Sequence, residues 1–409
     1  MVRQATWLCA ILIVTQSGAL LADSGLPNLE FNGFGTLGIV HSDERDADFV
    51  ADPFASEGAG YSNDWSAEVD SRLGLQATLR MTSQLSSVVQ VVSEKRYDGS
   101  FAPDIEWANV QYDVTPDLSL RVGRMVQSSF MASEHRKVNY ATPWVRPPQE
   151  VYRLIPVANF DGVDVRYRYH RGSATNELQM NFGGGSADYQ TGSIDASDSW
   201  GVSHRTHWGS TTLFASYGEL KVSADELTQF FDIYRLFGLP GEELASRYEV
   251  DGKRARLLSL GASYDPGSWF VMGEWAHFSS SSLLGKSEGA YMTFGYRIAD
   301  WTPYVGVARA KITSSTSEPG LNAALYPSPY AEGAQLLNGV LNETLSSRMQ
   351  QDSITVGARW DFRPGMALTA QYDHIDMRSG SSGGLINQQS EFTPGERINL
   401  FSLALDFVF

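Results

Sequence analysis

The chain has 409 residues, 31 basic against 47 acidic side chains, a formal charge of −16 and a single cysteine. No segment approaches the roughly eighteen consecutive apolar residues of a membrane helix, so a helical membrane protein is excluded, and the acidic balance argues against nucleic acid. There is no CxxC, HExxH or phosphate-loop pattern, and so no sequence-local metal or cofactor signature.

Residues 1–22 read as a secretory signal peptide: Arg3, an apolar core from Ala5 to Val14, a polar break at Thr15 to Gly18, and cleavage after Ala22. Cys9 lies inside that core behind Trp7-Leu8, which does not fit a lipidation site, so the mature chain, residues 23–409, has no cysteine and a formal charge of −17.

From Leu29 onward, runs of period two alternate with breaks that are tight and long in turn. The tight ones are Thr82-Ser83-Gln84, Pro116-Asp117, Gly172-Ser173-Ala174, Gly209-Ser210, Asp265-Pro266-Gly267, Ala299-Asp300 and Arg363-Pro364-Gly365. The long ones are Asp43 to Asn63, Asp98 to Asp104, Ser128 to Ala158, Ser186 to Ser197, Lys221 to Gly252, Ser280 to Lys286, Thr313 to Ser347 and Ser379 to Gly395. Seven tight turns and eight long loops separate sixteen strands. This predicts an all-β chain: a sixteen-stranded antiparallel transmembrane β-barrel with short turns on one side and long loops on the other.

Parity assigns the faces. Leu73, Leu75, Ala77 and Leu79 face lipid while Arg72, Gln76 and Arg80 face inward; Val163, Val165, Tyr167 and Tyr169 face out while Asp164, Arg166, Arg168 and His170 face in. Ile354, Val356, Trp360 and Phe362 point out with Arg359 inside, and Arg121 and Arg309 are also placed inside. Trp208, Tyr264, Trp269, Trp301, Trp360 and Phe362 sit beside tight turns, where an interfacial aromatic girdle belongs. Lys253 to Tyr264 and Trp269 to Phe278 are apolar at both parities, and Arg124 and Lys95 fall on the outward face, which a bulge or a subunit interface would explain.

Among the loops, the first is acidic (Asp43, Glu44, Asp46, Asp48, Asp52, Glu57 and Asp64 against Arg45) without calcium-loop spacing. The fifth carries Leu227, Phe230, Phe231 and Tyr234 at helical spacing, ended by Gly238-Leu239-Pro240, and a second helix is expected over Leu336, Leu337, Val340, Leu341 and Leu345. The third holds Pro143, Pro147, Pro148 and Pro156 together with Glu134, His135, Arg136, Lys137, Arg146, Glu150 and Arg153.

The chain ends on Phe401, Leu403, Leu405, Phe407 and Phe409 on one face with Ser402, Ala404 and Asp406 on the other, a strand with lipid on one side. This terminal strand resembles the closing strand of the Gram-negative outer-membrane general porins. The resemblance implies an outer-membrane location, recognition of the strand ending in Phe409 by the barrel-assembly machinery, contact with outer-membrane lipid and lipopolysaccharide, and a homotrimer. It also implies that the third loop folds into the barrel and narrows a passive channel for small hydrophilic solutes. The family's acidic constriction motif is absent here: the loop's four cations and two carboxylates sum to +2. With the wall arginines, this loop points to an anion-preferring pore for carboxylates or phosphate. The alternative at this stage is neutralisation of those arginines by Asp113, Asp164 and Asp373 in a nonselective pore.

Two other functions were weighed. A barrel enzyme needs a Ser-His-acid grouping, whereas the seven histidines (His41, His135, His170, His204, His207, His277 and His374) are scattered. A gated receptor needs an N-terminal plug, and only a few residues precede Leu29 in the mature chain.

Overall fold

The computed structural model describes residues 28–409 apart from Pro156, Ala158 and Ser379, so the signal-peptide expectation lies outside the described residues. Alternating sequences pair as antiparallel strands wherever one face is apolar and the other polar. Sixteen do so here: β1 (Asn28–Ser42), β2 (Arg72–Arg80), β3 (Leu85–Glu94), β4 (Asp104–Thr115), β5 (Leu118–Val126), β6 (Asn159–Arg171), β7 (Ala174–Tyr189), β8 (Gly192–Trp208), β9 (Thr211–Ala224), β10 (Lys253–Tyr264), β11 (Trp269–Ser280), β12 (Lys286–Tyr296), β13 (Trp301–Ile312), β14 (Gln351–Arg363), β15 (Met366–Met377) and β16 (Arg397–Val408). Each pairs with its neighbour in sequence, and β16 pairs with β1 from Phe34↔Val408 to Ser42↔Leu400, closing the barrel. Closure leaves no edge strand for another chain to extend.

All seven predicted tight turns connect strands at one end of the barrel. At the other end run loops L1 (residues 43–71), L2 (95–103), L3 (127–158), L5 (225–252), L6 (281–285), L7 (313–350) and L8 (378–396). The fourth connection differs from expectation. Ser186 to Ser197 is the tip of a long hairpin, with only Gln190 and Thr191 between β7 and β8. The Gly183-Gly184-Gly185 run just before it accompanies a register shift at Gly183/Gly185, matched by one at Ser197/Trp200, where bulges let paired strands bend and continue.

The lipid-facing rows are exposed, as at Leu75, Val163 and Val356, and the alternate residues are buried: Asp164, Ser402, Ala404 and Asp406 have 0% exposure. Trp301 and Trp360 stack at 5.3 Å near the short-turn end, where Tyr264 and Trp269 also meet, tilted, at 5.3 Å. At the closing seam the Phe407 ring covers Gly35 and the Phe409 ring covers Gly33, so closely that a Cβ on either glycine would lie 2.4 or 2.3 Å from ring atoms.

The irregular strands need neither a bulge nor a subunit interface. Along β10, Leu258, Leu260 and Tyr264 face out while Ala255 and Leu257 point inward; Ala276 of β11 likewise points inward. These inward apolar residues are covered by L3 or by the loops above it. Lys95, just past the end of β3, is buried and ion-paired with Glu68 at 2.5 Å and Glu57 at 3.0 Å, so it does not face lipid. Arg124 does point outward, in a two-pronged pair with Asp161 at 2.7 and 3.0 Å.

L5 and L7 build a helical cap. Its helices are α1 (Asp225–Arg235), α2 (Leu239–Tyr248) and α3 (Tyr330–Ser347). Gly238-Leu239-Pro240 follows the end of α1, as expected, and also opens α2: Gly238 takes φ 73° and Pro240 occupies the first turn, where its missing N–H costs nothing. Phe231, Tyr234, Leu244, Leu337, Leu341 and Leu345 pack with the inward residues Val222, Ala224 and Ala255, which seats the cap over the long-loop ends of β9 and β10. L1 and L8 are joined by backbone bonds between Asp48 and Ile386.

Candidate functional site

Local sequence decides the shape of L3. Its prolines bar a long helix, and the segment breaks into two single-turn 3₁₀ helices (Ser133–His135 and Asn139–Ala141) and one α-helical turn (Gln149–Tyr152). The loop folds inward and is held by two kinds of contact.

Toward β10–β14 the contact is apolar. Phe130, Trp144, Val151 and Ile155 pack on Leu257, Ala276, Tyr291 and Tyr304, and Trp144 meets Tyr291 edge-on at 5.6 Å while its Nε1 donates to Thr293 at 3.0 Å. Polar groups left over are satisfied by the wall. Glu274 accepts from the Met131 N–H at 2.8 Å and the Tyr152 hydroxyl at 3.1 Å, and Glu150 accepts from Gln351 and Ser353, both at 2.7 Å. Arg359 donates to the carbonyls of Tyr140 and Thr142 at 2.9 and 2.8 Å.

Toward β2–β6 the contact is ionic. Lys137 lies 2.7 Å from both Glu94 and Glu106, Arg136 lies 3.8 Å from Glu106, and Glu134 pairs with Arg166 and lies 3.7 Å from Arg121. Burial pulls the Lys137 ammonium down, but Glu106 and Glu94 outweigh it and hold the group above the usual lysine value. Burial pushes Glu134 up, and Arg166 and Arg121 more than reverse this. Arg146 bridges the two sides, forked onto Asp70 at 2.6 and 2.9 Å and reaching Asp373 at 3.3 Å and Ser402 at 2.7 Å. Such buried pairs hold position because losing one partner strands the other charge.

Between the tip of L1, the start of β2, the end of β3, and L3 lies a cavity of about 150 Å³. Its lining holds six cations (Arg72, Lys95, Arg136, Lys137, Arg146 and Arg153) against two carboxylates (Asp52 and Glu94). Arg153 has no carboxylate partner among the described residues; its Nη1 donates to Gln149 Oε1 at 3.2 Å and the Gly384 carbonyl at 2.8 Å. Burial lowers its guanidinium to about 10, which leaves it charged at neutral pH. On the short-turn side a larger cavity of about 610 Å³ is lined by Gln111, Asp113, Arg166 and Arg168.

The expected site residues therefore separate. Arg72, Arg136, Lys137, Arg146 and Arg153 meet at the 150 Å³ cavity. Arg121 is spent on Asp164 at 2.7 Å, Glu150 and Arg359 anchor L3, and Arg166 and Arg168 line the wider vestibule. Arg80 pairs with Glu30 at the short-turn rim. Arg309, expected inside, is on the outward row with Val305 and Val307 and pairs with Asp352. Both parities of β13 are rich in apolar residues, and a charge is tolerated on the outer row where the strand rises above hydrocarbon. Of the carboxylates expected to neutralise arginines, Asp164 and Asp373 do so, while Asp113 takes the amide of Gln111 at 2.9 Å. Sequence reading passed over Glu94, which inward parity on β3 signals, over Glu106, which shares the parity of the outward Val110 and Tyr112 and turns inward only at the bulge where Gln90 faces Trp107 and Val91 faces Ile105, and over the L1 tip Ala51-Asp52-Pro53, which has no local signal. A Gly380-Ser381-Ser382-Gly383-Gly384 run fits the hydrolase pattern GxSxG, but it lies in L8 without the strand-to-helix elbow, and Ser382 is buried against the Ser347 carbonyl at 2.8 Å.

A closed sixteen-stranded barrel with a lipid-facing belt, short turns at one end and a third loop folded inside is a transmembrane β-barrel of the outer-membrane type. Among solved structures its fold is that of the general porins. It is similar to Salmonella typhi OmpF in complex with daunomycin (12% identity, TM-score 0.55, covering 94% of this chain and 98% of that one). It is similar too to the outer membrane channel DcaP of Acinetobacter baumannii (12%, 0.54, covering 95% and 99%) and the anion-selective porin from Comamonas acidovorans (12%, 0.51, covering 94% and 100%). No family pattern matches the sequence, and no curated protein does.

Proposed function

We propose that this chain, once residues 1–22 are removed, is an outer-membrane porin, a passive channel for small hydrophilic solutes with a preference for anions. The observation that carries the reading is the excess of six cations over two carboxylates where L3 narrows the lumen. Fixed charge at a narrow, low-dielectric passage enriches the opposite mobile ion, and charges on the outer loops beyond about 8 Å are screened at physiological salt. The fold shared with solved outer-membrane channels, one of them described as anion-selective, supports it. A homotrimer fits the trimer form of OmpT of Vibrio cholerae, whose fold is also similar (9% identity, TM-score 0.50, covering 94% of this chain and 100% of that one). The terminal strand ending in Phe409 is our candidate for recognition by the barrel-assembly machinery, and the outward rows for contact with lipid and lipopolysaccharide.

The test is the single-channel reversal potential in a potassium chloride gradient. The wild type is expected to favour chloride, and changing Arg136, Lys137 and Arg153 together to Glu is expected to reverse the sign. A cation-selective wild-type channel overturns the anion preference, and absence of stepwise conductance overturns the pore.

A further inference from the structure

We propose that the 150 Å³ cavity is a saturable binding site for a small organic carboxylate, held on Arg72, Arg136 and Arg153, rather than a merely charged passage. This rests on the pore reading above. Two features set these arginines apart from the others in the lumen. First, the Nε atoms of Arg72 and Arg136 are buried with no hydrogen-bond partner, although both side chains line the cavity. Second, Arg153 faces the same space and spends only Nη1 on protein oxygens. By contrast, Arg146 is forked onto Asp70; Arg121 and Arg166 also keep a buried nitrogen without a hydrogen bond, but neither lines this cavity. A buried guanidinium donor with no acceptor is costly, and an incoming oxyanion supplies the acceptor.

The rest of the lining selects among oxyanions. Ala51, Pro53, Val69, Pro147 and Ile155 border the same cavity, a partly apolar rim that a bare inorganic ion cannot use. A carboxylate with a short apolar body satisfies both halves: its oxygens meet the arginine donors and its carbons leave water against the rim. Three cations around one anion also explain why L3 carries Arg153 with no protein counter-charge.

Chloride current through the purified protein in a planar bilayer would be measured with benzoate added, against inorganic phosphate and neutral benzyl alcohol. Benzoate is expected to block saturably, with half-block at a concentration at least ten-fold lower than that for phosphate, and benzyl alcohol is expected not to block. Arg153→Gln and Arg72→Gln should each raise the half-blocking benzoate concentration about ten-fold, whereas Arg168→Gln, in the wider vestibule, should leave it unchanged. Arg153→Gln breaks no ion pair, so it keeps the test independent of folding. Block without saturation, equal block in Arg153→Gln, or tighter block by phosphate overturns the proposal. A protein without stepwise current overturns the pore reading instead; calorimetry of benzoate with detergent-solubilised protein then still decides the site, since no binding heat overturns it.

Discussion

The two halves of the barrel wall hold the same loop by opposite physics. On β10–β13 the inward Leu257, Ala276, Tyr291 and Tyr304 let L3 rest on the wall as on a protein core, with hydrogen-bonded polar neighbours; on β2–β6 the inward contacts are charged and L3 meets them through Lys137, Arg136 and Glu134. The apolar half can exclude water without leaving polar atoms unpaired. The ionic half keeps its charges near remaining open space: the 150 Å³ cavity falls between L3, the start of β2 and the end of β3. The lesson is that an inward apolar row in such a barrel marks where a loop lies.

The comparison depends first on closure, and breaking closure should have the largest effect. Gly35→Leu places a side chain where the Phe407 ring lies, and Phe407→Asp with Phe409→Asp removes the rings that cover Gly35 and Gly33 and puts charge on a lipid-facing row. Both variants are expected to leave little folded, heat-modifiable barrel in outer-membrane fractions. Normal amounts in the membrane would show that the seam does not depend on this packing.

Next in size is the apolar contact itself. Trp144 is 3% exposed, and truncation of such a residue typically costs about 3 to 5 kcal/mol. Trp144→Ala should free L3 from β12, raise single-channel conductance and open the loop to protease while the barrel stays closed. Lys137→Gln, on the ionic side, should change conductance far less. The reverse order of effects would mean that the ionic half is the main anchor.

Much of this architecture was legible from the sequence. The strand number, all seven tight turns and the lipid rows follow from period two and turn residues, which are local, whereas the inward third loop was implied only by the resemblance of the closing strand to the general porins. Three things were not. Ser186 to Ser197 was read as a loop because its Ser, Asp and Gly residues are turn formers whether they make a loop or the tip of a long hairpin. Arg309 was placed inside because the apolar parity of β13 is ambiguous, and only the register with Asp352 resolves it. The irregular parity of β10 and β11 has a tertiary cause, contact with L3 and the cap, that local periodicity does not carry. For the site, residue types in L3 identified the cations, but which of them are spent on carboxylates is set by tertiary pairing with Asp70, Glu94, Glu106 and Asp164.

The two halves should also differ in chemical access, a smaller and purely local effect. Single cysteines at Arg72, Gln76 and Arg166 should react with a charged thiol reagent, while those at Leu73, Leu75 and Val165 face lipid and should not. Cysteine at Leu257 is the discriminating case: it points inward yet lies under L3, so it should be as unreactive as the lipid-facing set. Fast labelling at position 257 would show that L3 leaves that wall.

The smallest expected effect comes from acid. Glu134 has its carboxyl held below the usual range by Arg166 and Arg121 despite burial, so its tether to β5 and β6 is present above the unfolded-state value and lost as pH falls through the depressed one. Lys137 has the opposite sign: its raised value means that the ammonium is fully charged at neutral pH and is itself lost only on strong alkalisation. Acidification therefore loosens one ionic anchor of L3 while leaving the apolar half untouched. Protonating Glu134 also removes one negative charge from a loop whose fully charged residues sum to +2, which should increase chloride preference. Glu134→Gln imitates that state at every pH. Its channels should be somewhat more chloride-selective than wild type at pH 7, and the difference should vanish as the pH is lowered below the ordinary carboxylate range, since the other acidic groups titrate in both proteins. A constant offset between the two across the whole range would mean that Glu134 does not titrate in the folded pore and that another group sets its acid response.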